Sequence, residues 1–288
     1  VSDGISQDEG KKLIIGGDTS LNSGTKNIVF NGSVNSIEST AANLTLIGGD
    51  ISFANAVGGI KRLGEFTITS TGEVKFQSID ATPAVAQDIS AKSLSVTAAK
   101  SFISGNITTA GGDVDITASD SIIVQSINTS ADTAGKIALT VNGNGDEKSI
   151  TVNGDLNAQS TDDSQNDVVL TLEDTSAAGT INLKHTSFFS SDVTLTGLGE
   201  KITLNALDVD NTWELTADNA GTITGNTNSK KITFSGFENI NGGSEGDAFI
   251  VKNNSKFTGL INGGAGANSL NIADESNTDA YAIAVADI

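Results

Sequence analysis

Apolar residues recur along this chain in a short alternating pattern, with hardly any helical spacing between. Leu94, Val96, Phe102 and Ile107 are repeated twenty residues on by Val114, Ile116, Ile122 and Ile127, and preceded by Phe66, Ile68, Val74 and Ile79. Val193, Leu195, Ile202 and Leu207 follow the same scheme with one residue more in the turn. Each unit offers an apolar pair at i and i+2, a polar turn, a second apolar stretch and a further apolar residue five beyond it. Period-two alternation predicts strands with one buried face. A unit of about 20 residues with two or three short strands has too little core to bury that face alone, so it must stack on its neighbours.

The same pairs can be followed from Leu13 to Ile272, with turn signals between them such as Gly48-Gly49-Asp50, Gly111-Gly112-Asp113 and Asn153-Gly154. One predicted unit takes Trp213, Leu215 and Ile223 as a single rung, and Thr45, Thr67, Ser95, Thr171, Thr194, Thr203 and Thr233 are placed along one outer face, in a run that Asp115, Ala138 and Glu214 break. Longer loops are expected after Ile79 (with Pro83), Leu156 and Leu183. Asn-Gly turns also announce antiparallel hairpins, but a sandwich or barrel needs neither the third apolar position nor a sustained period near 20. The fold class expected is therefore all-β, a right-handed parallel β-helix of about twelve rungs, roughly 55–60 Å long at one sheet spacing per rung. Residues 1 to 12 read as a polar lead-in, 13 to 288 as a single β-helix domain, and 237 to 272 as a degenerate Gly-rich turn segment.

Composition narrows the picture. The 32 Gly serve the turns, the absence of Cys excludes a disulfide framework or Cys-based metal site, and 35 acidic against 16 basic residues give a formal charge of -19. That field argues against nucleic acid and anionic membrane partners. No stretch reaches the 18 apolar residues of a spanning helix, and the start Val1-Ser2-Asp3-Gly4 has neither initiator Met nor signal peptide, as expected of a mature fragment or an excised piece of something longer.

Units such as KSLSVTAAKSFISGNITTAGGDVDITASDSIIVQSINTSA (92–131) resemble the passenger repeats of bacterial filamentous-haemagglutinin-type adhesins and related autotransporters. That resemblance implies a right-handed β-helix on the cell surface: a non-catalytic, extracellular, adhesive shaft. The family's secretion domain carries an Asn-Pro-Asn-Leu motif, whereas the only proline here is Pro83, so the likeness is to interior shaft. Its partners would be a surface glycan or a receptor on a host or neighbouring cell. A self-assembling fibre subunit and a polysaccharide-binding or polysaccharide-cleaving protein are the alternatives. Residues 279–288 alternate like one more strand and are expected to pair with an adjacent rung or a second copy.

The segment 237–274 resembles stretches that border on haemolysin-type calcium nonapeptide repeats. Gly242-Gly243-Ser244-Glu245-Gly246-Asp247 and Gly263-Gly264-Ala265-Gly266-Ala267-Asn268 approximate such turns 21 residues apart, which makes Asp247, with Glu245 and Asn268, the candidate calcium ligands. Both copies are defective, since Glu245 stands where a Gly is expected and Asn268 where a carboxylate is. His185, two residues beyond Leu183, is read as structural, and no enzyme is expected. The acidic pairs Asp208/Asp210, Asp162/Asp163, Asp146/Glu147 and Asp113/Asp115 read as solvated turn carboxylates whose loss costs little, because Arg62 is the only arginine and aromatics fall at inward positions.

Overall fold

Strand alternation is realised along the whole chain. The computed structural model describes residues 4–37, 41–78, 83–143, 147–160, 168–174, 178–186, 189–225, 230–252, 255–273 and 284–288, and every regular element among them is a strand. Twenty-six strands join one sheet and two more form a second, and the strand pairs are parallel except around residues 211–235. Ile79, Asp146, Asp162, Asp163 and residues 279–283 lie outside the described residues.

One row of apolar positions runs through the molecule. Register carries it from Ile5 to Ile28, Ile51, Val74, Phe102, Ile122, Ile150, Ile181, Leu204, Ile240, Ile261 and Val285. From Ile28 to Ile261 each of these side chains is 0% exposed, and such burial contributes about 1.5–3 kcal/mol per residue. A second row passes through Leu46, Ile68, Val96, Ile116, Leu139, Leu170 and Leu195. The third apolar position of the repeat also has its own row, Leu13, Val34, Val57, Ile89, Ile107, Ile127 and Leu156. Ile89 fills the station in this row for which Ile79 was expected.

Three expectations are corrected. Ile5–Gln7, within the expected lead-in, is a strand paired with Ile28–Phe30, because Ile5 continues the apolar row. Asn211–Ala217, Ala220–Gly225 and Lys231–Ser235 do not make one rung and the start of the next, but an antiparallel meander. Its reversal is set by Asp218-Asn219, where Asn219 takes a φ of +49°, a conformation that Asn tolerates in tight turns. The threonines divide as well: Thr45, Thr67, Ser95, Thr194 and Thr233 share one column, interrupted by Asp115, Ala138 and Val169. Thr171 belongs to the neighbouring column with Thr140 and Thr196, and Thr203 pairs with Thr180 on a different run of strands.

Polar side chains knit neighbouring levels at the corners. Asp50 Oδ1 accepts the Glu73 N–H at 2.9 Å, Asp88 Oδ1 that of Asn106 at 2.7 Å, Asp113 Oδ1 that of Lys136 at 2.9 Å, and Asp192 Oδ1 that of Lys231 at 2.8 Å. Each sits just before a strand and satisfies a backbone donor that the turn leaves exposed, which accounts for many acids outside any site. An asparagine ladder runs along the half-buried, outward positions of the later strands: Asn205 Nδ2 donates to Asn182 Oδ1 at 2.6 Å, and Asn241 Nδ2 to Asn205 Oδ1 at 2.5 Å.

Candidate functional site at the Asp247 corner

The meander brings together residues that are remote in sequence. It places Asn211–Ala217 beside Asp247–Lys252 in parallel register, with Asn211 opposite Asp247 and Trp213 opposite Phe249. The turns 206–210, 242–246 and 263–267 therefore stack, each followed by a side chain of similar shape: Asn211, Asp247, Asn268. Gly242 and Gly263 are needed where these levels meet. A Cβ on Gly242 would lie 2.3 Å from both Asp247 Oδ2 and the Gly263 carbonyl, and one on Gly263 2.2 Å from the Asp287 carbonyl.

Asp247 is 1% exposed. Its Oδ1 accepts from Asn211 Nδ2 at 2.7 Å and from Trp213 Nε1 at 3.4 Å, and its Oδ2 from the Gly243 N–H at 2.9 Å. Burial raises the Asp247 carboxyl above its usual range, and the hydrogen bonds from Asn211, Gly243 and Trp213 offset part of that rise. Asn211 Nδ2 also donates to the carbonyls of Leu207 and Val209 at 3.1 and 2.8 Å. Those three acceptors fix the amide's orientation and leave Asn211 Oδ1 as the buried side-chain atom without a partner among the described residues. Asn268 Oδ1 accepts the Asp247 N–H at 2.9 Å, while its Nδ2 donates to the carbonyls of Gly264, Ala265 and Asp287.

The expected calcium ligands thus share one corner, in which Asp247 and Asn268 are already engaged with protein partners. Calcium takes six to eight oxygens, whereas both oxygens of Asp247 face N–H donors and Asn268 turns its oxygen to the backbone. Glu245 is exposed at the rim of a shallow depression of about 480 Å³ that it shares with Asp210 and Gly266. Among the described residues no group of three or more His, Cys, Asp or Glu side chains could hold a metal ion. Asn211 and Trp213, the donors that define this corner, were legible in the sequence only as a polar and an apolar strand position.

The other candidates are placed apart from it or serve the backbone. His185 is half-buried and its ring stacks on Phe189, centroids 6.1 Å apart. Asp115 has its carboxyl raised by desolvation and by the charge of Asp113 beside it. Asp208 Oδ1 and Asp210 Oδ1 each accept an N–H of the next turn, from Ser244 and Gly246, both at 3.0 Å. The double variant Asp208→Ala with Asp210→Ala is therefore expected to lower stability by about 1–2 kcal/mol, two modest hydrogen bonds, as read by chemical denaturation. Both are exposed turn carboxylates, as expected, with a backbone N–H partner in addition.

In comparison with known proteins, no family model, curated protein or solved structure matches this chain.

Proposed function

We propose that this chain is a non-catalytic shaft, wound as a right-handed parallel β-helix of about twelve rungs, in a bacterial surface or secreted protein that acts outside the cell. The observation that carries this reading is the single apolar row from Ile5 to Val285. Twelve stations in parallel register give each of the ten inner ones a neighbour on both sides along the row, an arrangement in which stability accumulates with length and that favours a rod. The corner acids fit the same purpose, since they use their charge to hold successive levels together. Recognition of a surface glycan or cell receptor would then fall to the loops and flanks.

Small-angle scattering is expected to give a rod with one long axis near 55–60 Å for the twelve levels, and a near-spherical profile would overturn the winding. Incubation with pectin, alginate and similar glycans is expected to give no cleavage, because Asp50, Asp88, Asp113, Asp192, Asp208, Asp210 and Asp247 accept backbone N–H groups and Arg62 is the one arginine of the sequence; measurable turnover would overturn the non-catalytic reading.

A further inference from the structure

Net charge hides a local exception. Asn35, 5% exposed, accepts the N–H groups of Ile60 and Lys61 on its Oδ1 at 2.9 and 3.2 Å, and Ser36 N–H donates to the Lys61 carbonyl at 3.1 Å. Gly58 gives the loop its path: its φ is +70°, and a Cβ there would lie 2.0 Å from the Ser90 carbonyl. A buried amide and a glycine are thus used to fix a loop whose tip, Ile60, is 77% exposed. Ile14, 60% exposed, is the direct strand partner of Asn35, and Ile37, 39% exposed, follows one residue after Ser36. The Leu13 N–H donates to the Ser33 carbonyl at 2.9 Å and holds the start of this strand in place. Lys11 and Lys12 precede Ile14 in the chain and Lys61 and Arg62 follow Ile60, so four of the 16 basic residues lie within three positions of an exposed isoleucine, with Asp8 and Glu9 further along.

We propose that this flank docks on an anionic lipid surface, with Ile60 and Ile14 entering the interface and the four cations meeting lipid phosphates. Exposed aliphatic side chains ringed by Lys and Arg are the chemistry of such contacts. Ile60 stands out as a tip, and a rigid protein partner would need a matching apolar pocket for it, whereas a lipid interface yields to a projecting side chain anywhere. The acidic corners elsewhere do not cancel the attraction, because at physiological salt charges more than about 8 Å away are largely screened. This inference goes beyond the shaft reading and does not rest on it.

Flotation of the full chain with vesicles of phosphatidylcholine containing roughly one-quarter phosphatidylglycerol, at about 0.15 M salt, tests it. The wild-type chain is expected to float with these vesicles and not with phosphatidylcholine alone. Ile60→Ser should reduce partitioning by about tenfold or more, and Lys61→Gln with Arg62→Gln on the order of tenfold. Leu198→Ser, at a side chain 50% exposed but remote in sequence, should bind as wild type. Unchanged circular dichroism melts would show the variants folded. Absence of wild-type binding, equal binding to phosphatidylcholine, or full binding by Ile60→Ser would overturn the proposal. Concentration-dependent dimers formed without vesicles and lost in Ile60→Ser would overturn it too, by assigning the flank to a second copy of the chain.

Discussion

Phe53→Ala is expected to melt the N-terminal levels of the sheet while the C-terminal ones stay folded. Phe53 is 1% exposed, with its ring stacked between Phe30 at 4.8 Å and Phe76 at 4.3 Å and edge-on to Phe66 at 5.9 Å. Truncation removes that contact and leaves a cavity, at a cost of about 3–5 kcal/mol. In the β-helix proposed above each level touches only its neighbours, so such a loss is confined to the levels near it. Trp213, the single tryptophan, sits at the far end against Phe249 and Phe234 and reports that region alone. Far-ultraviolet circular dichroism should therefore show an early partial transition, with the Trp213 fluorescence transition near its wild-type midpoint. Coincident shifts in both probes would mean that the sheet unfolds as one unit.

Asp247→Ala should have the next largest effect. It leaves Asn211 Nδ2, Trp213 Nε1 and the Gly243 N–H without their shared acceptor in a buried corner, a loss of about 2–4 kcal/mol. Asp247→Asn preserves the shape and part of the bonding and should cost less. It also isolates the titration. Because burial holds the folded-state carboxyl above its ordinary value of 3.8, the folded chain binds this proton before the unfolded chain does as pH falls. Stability from this group is thus gained on acidification through the raised value and lost as pH rises through it. The stability of wild type relative to Asp247→Asn should increase as pH is lowered from 7 towards 4, measured by denaturation at each pH. A difference independent of pH would contradict a perturbed, buried carboxyl. Millimolar calcium should shift both proteins alike, by screening, since the Asp247 oxygens already face donors.

The rows of strands were legible because alternation is local. Ile28, Ile51, Val74 and Phe102 each announce an inward position within three or four residues, and parallel stacking then follows from the nearly constant spacing of the units. The third row was legible through Ile107 and Ile127, but Ile89 was not, because Ile79 stands at the sequence spacing the other units use for this position. The calcium-like spelling of 242–247 was legible too, but not the N–H donors that Asp247 accepts from, since Asn211 and Trp213 lie more than 30 residues away.

What the sequence by itself determined is the strand period, the corners and the apolar rows, because each depends on residues a few positions apart. The tertiary structure alone decided the rest. The reversal at Asp218-Asn219 sets Asn211 against Asp247 across 36 residues, and the pairing of Leu13–Ile15 with Val34–Ser36, with Asn35 accepting the Ile60 N–H, brings Ile14 and Ile60, each with two cations beside it in the chain, to one part of a molecule of charge -19. Both depend on which strand pairs with which and in what register. That choice is made by burying the whole set of rows at once, so no local pattern of apolar and polar residues encodes it.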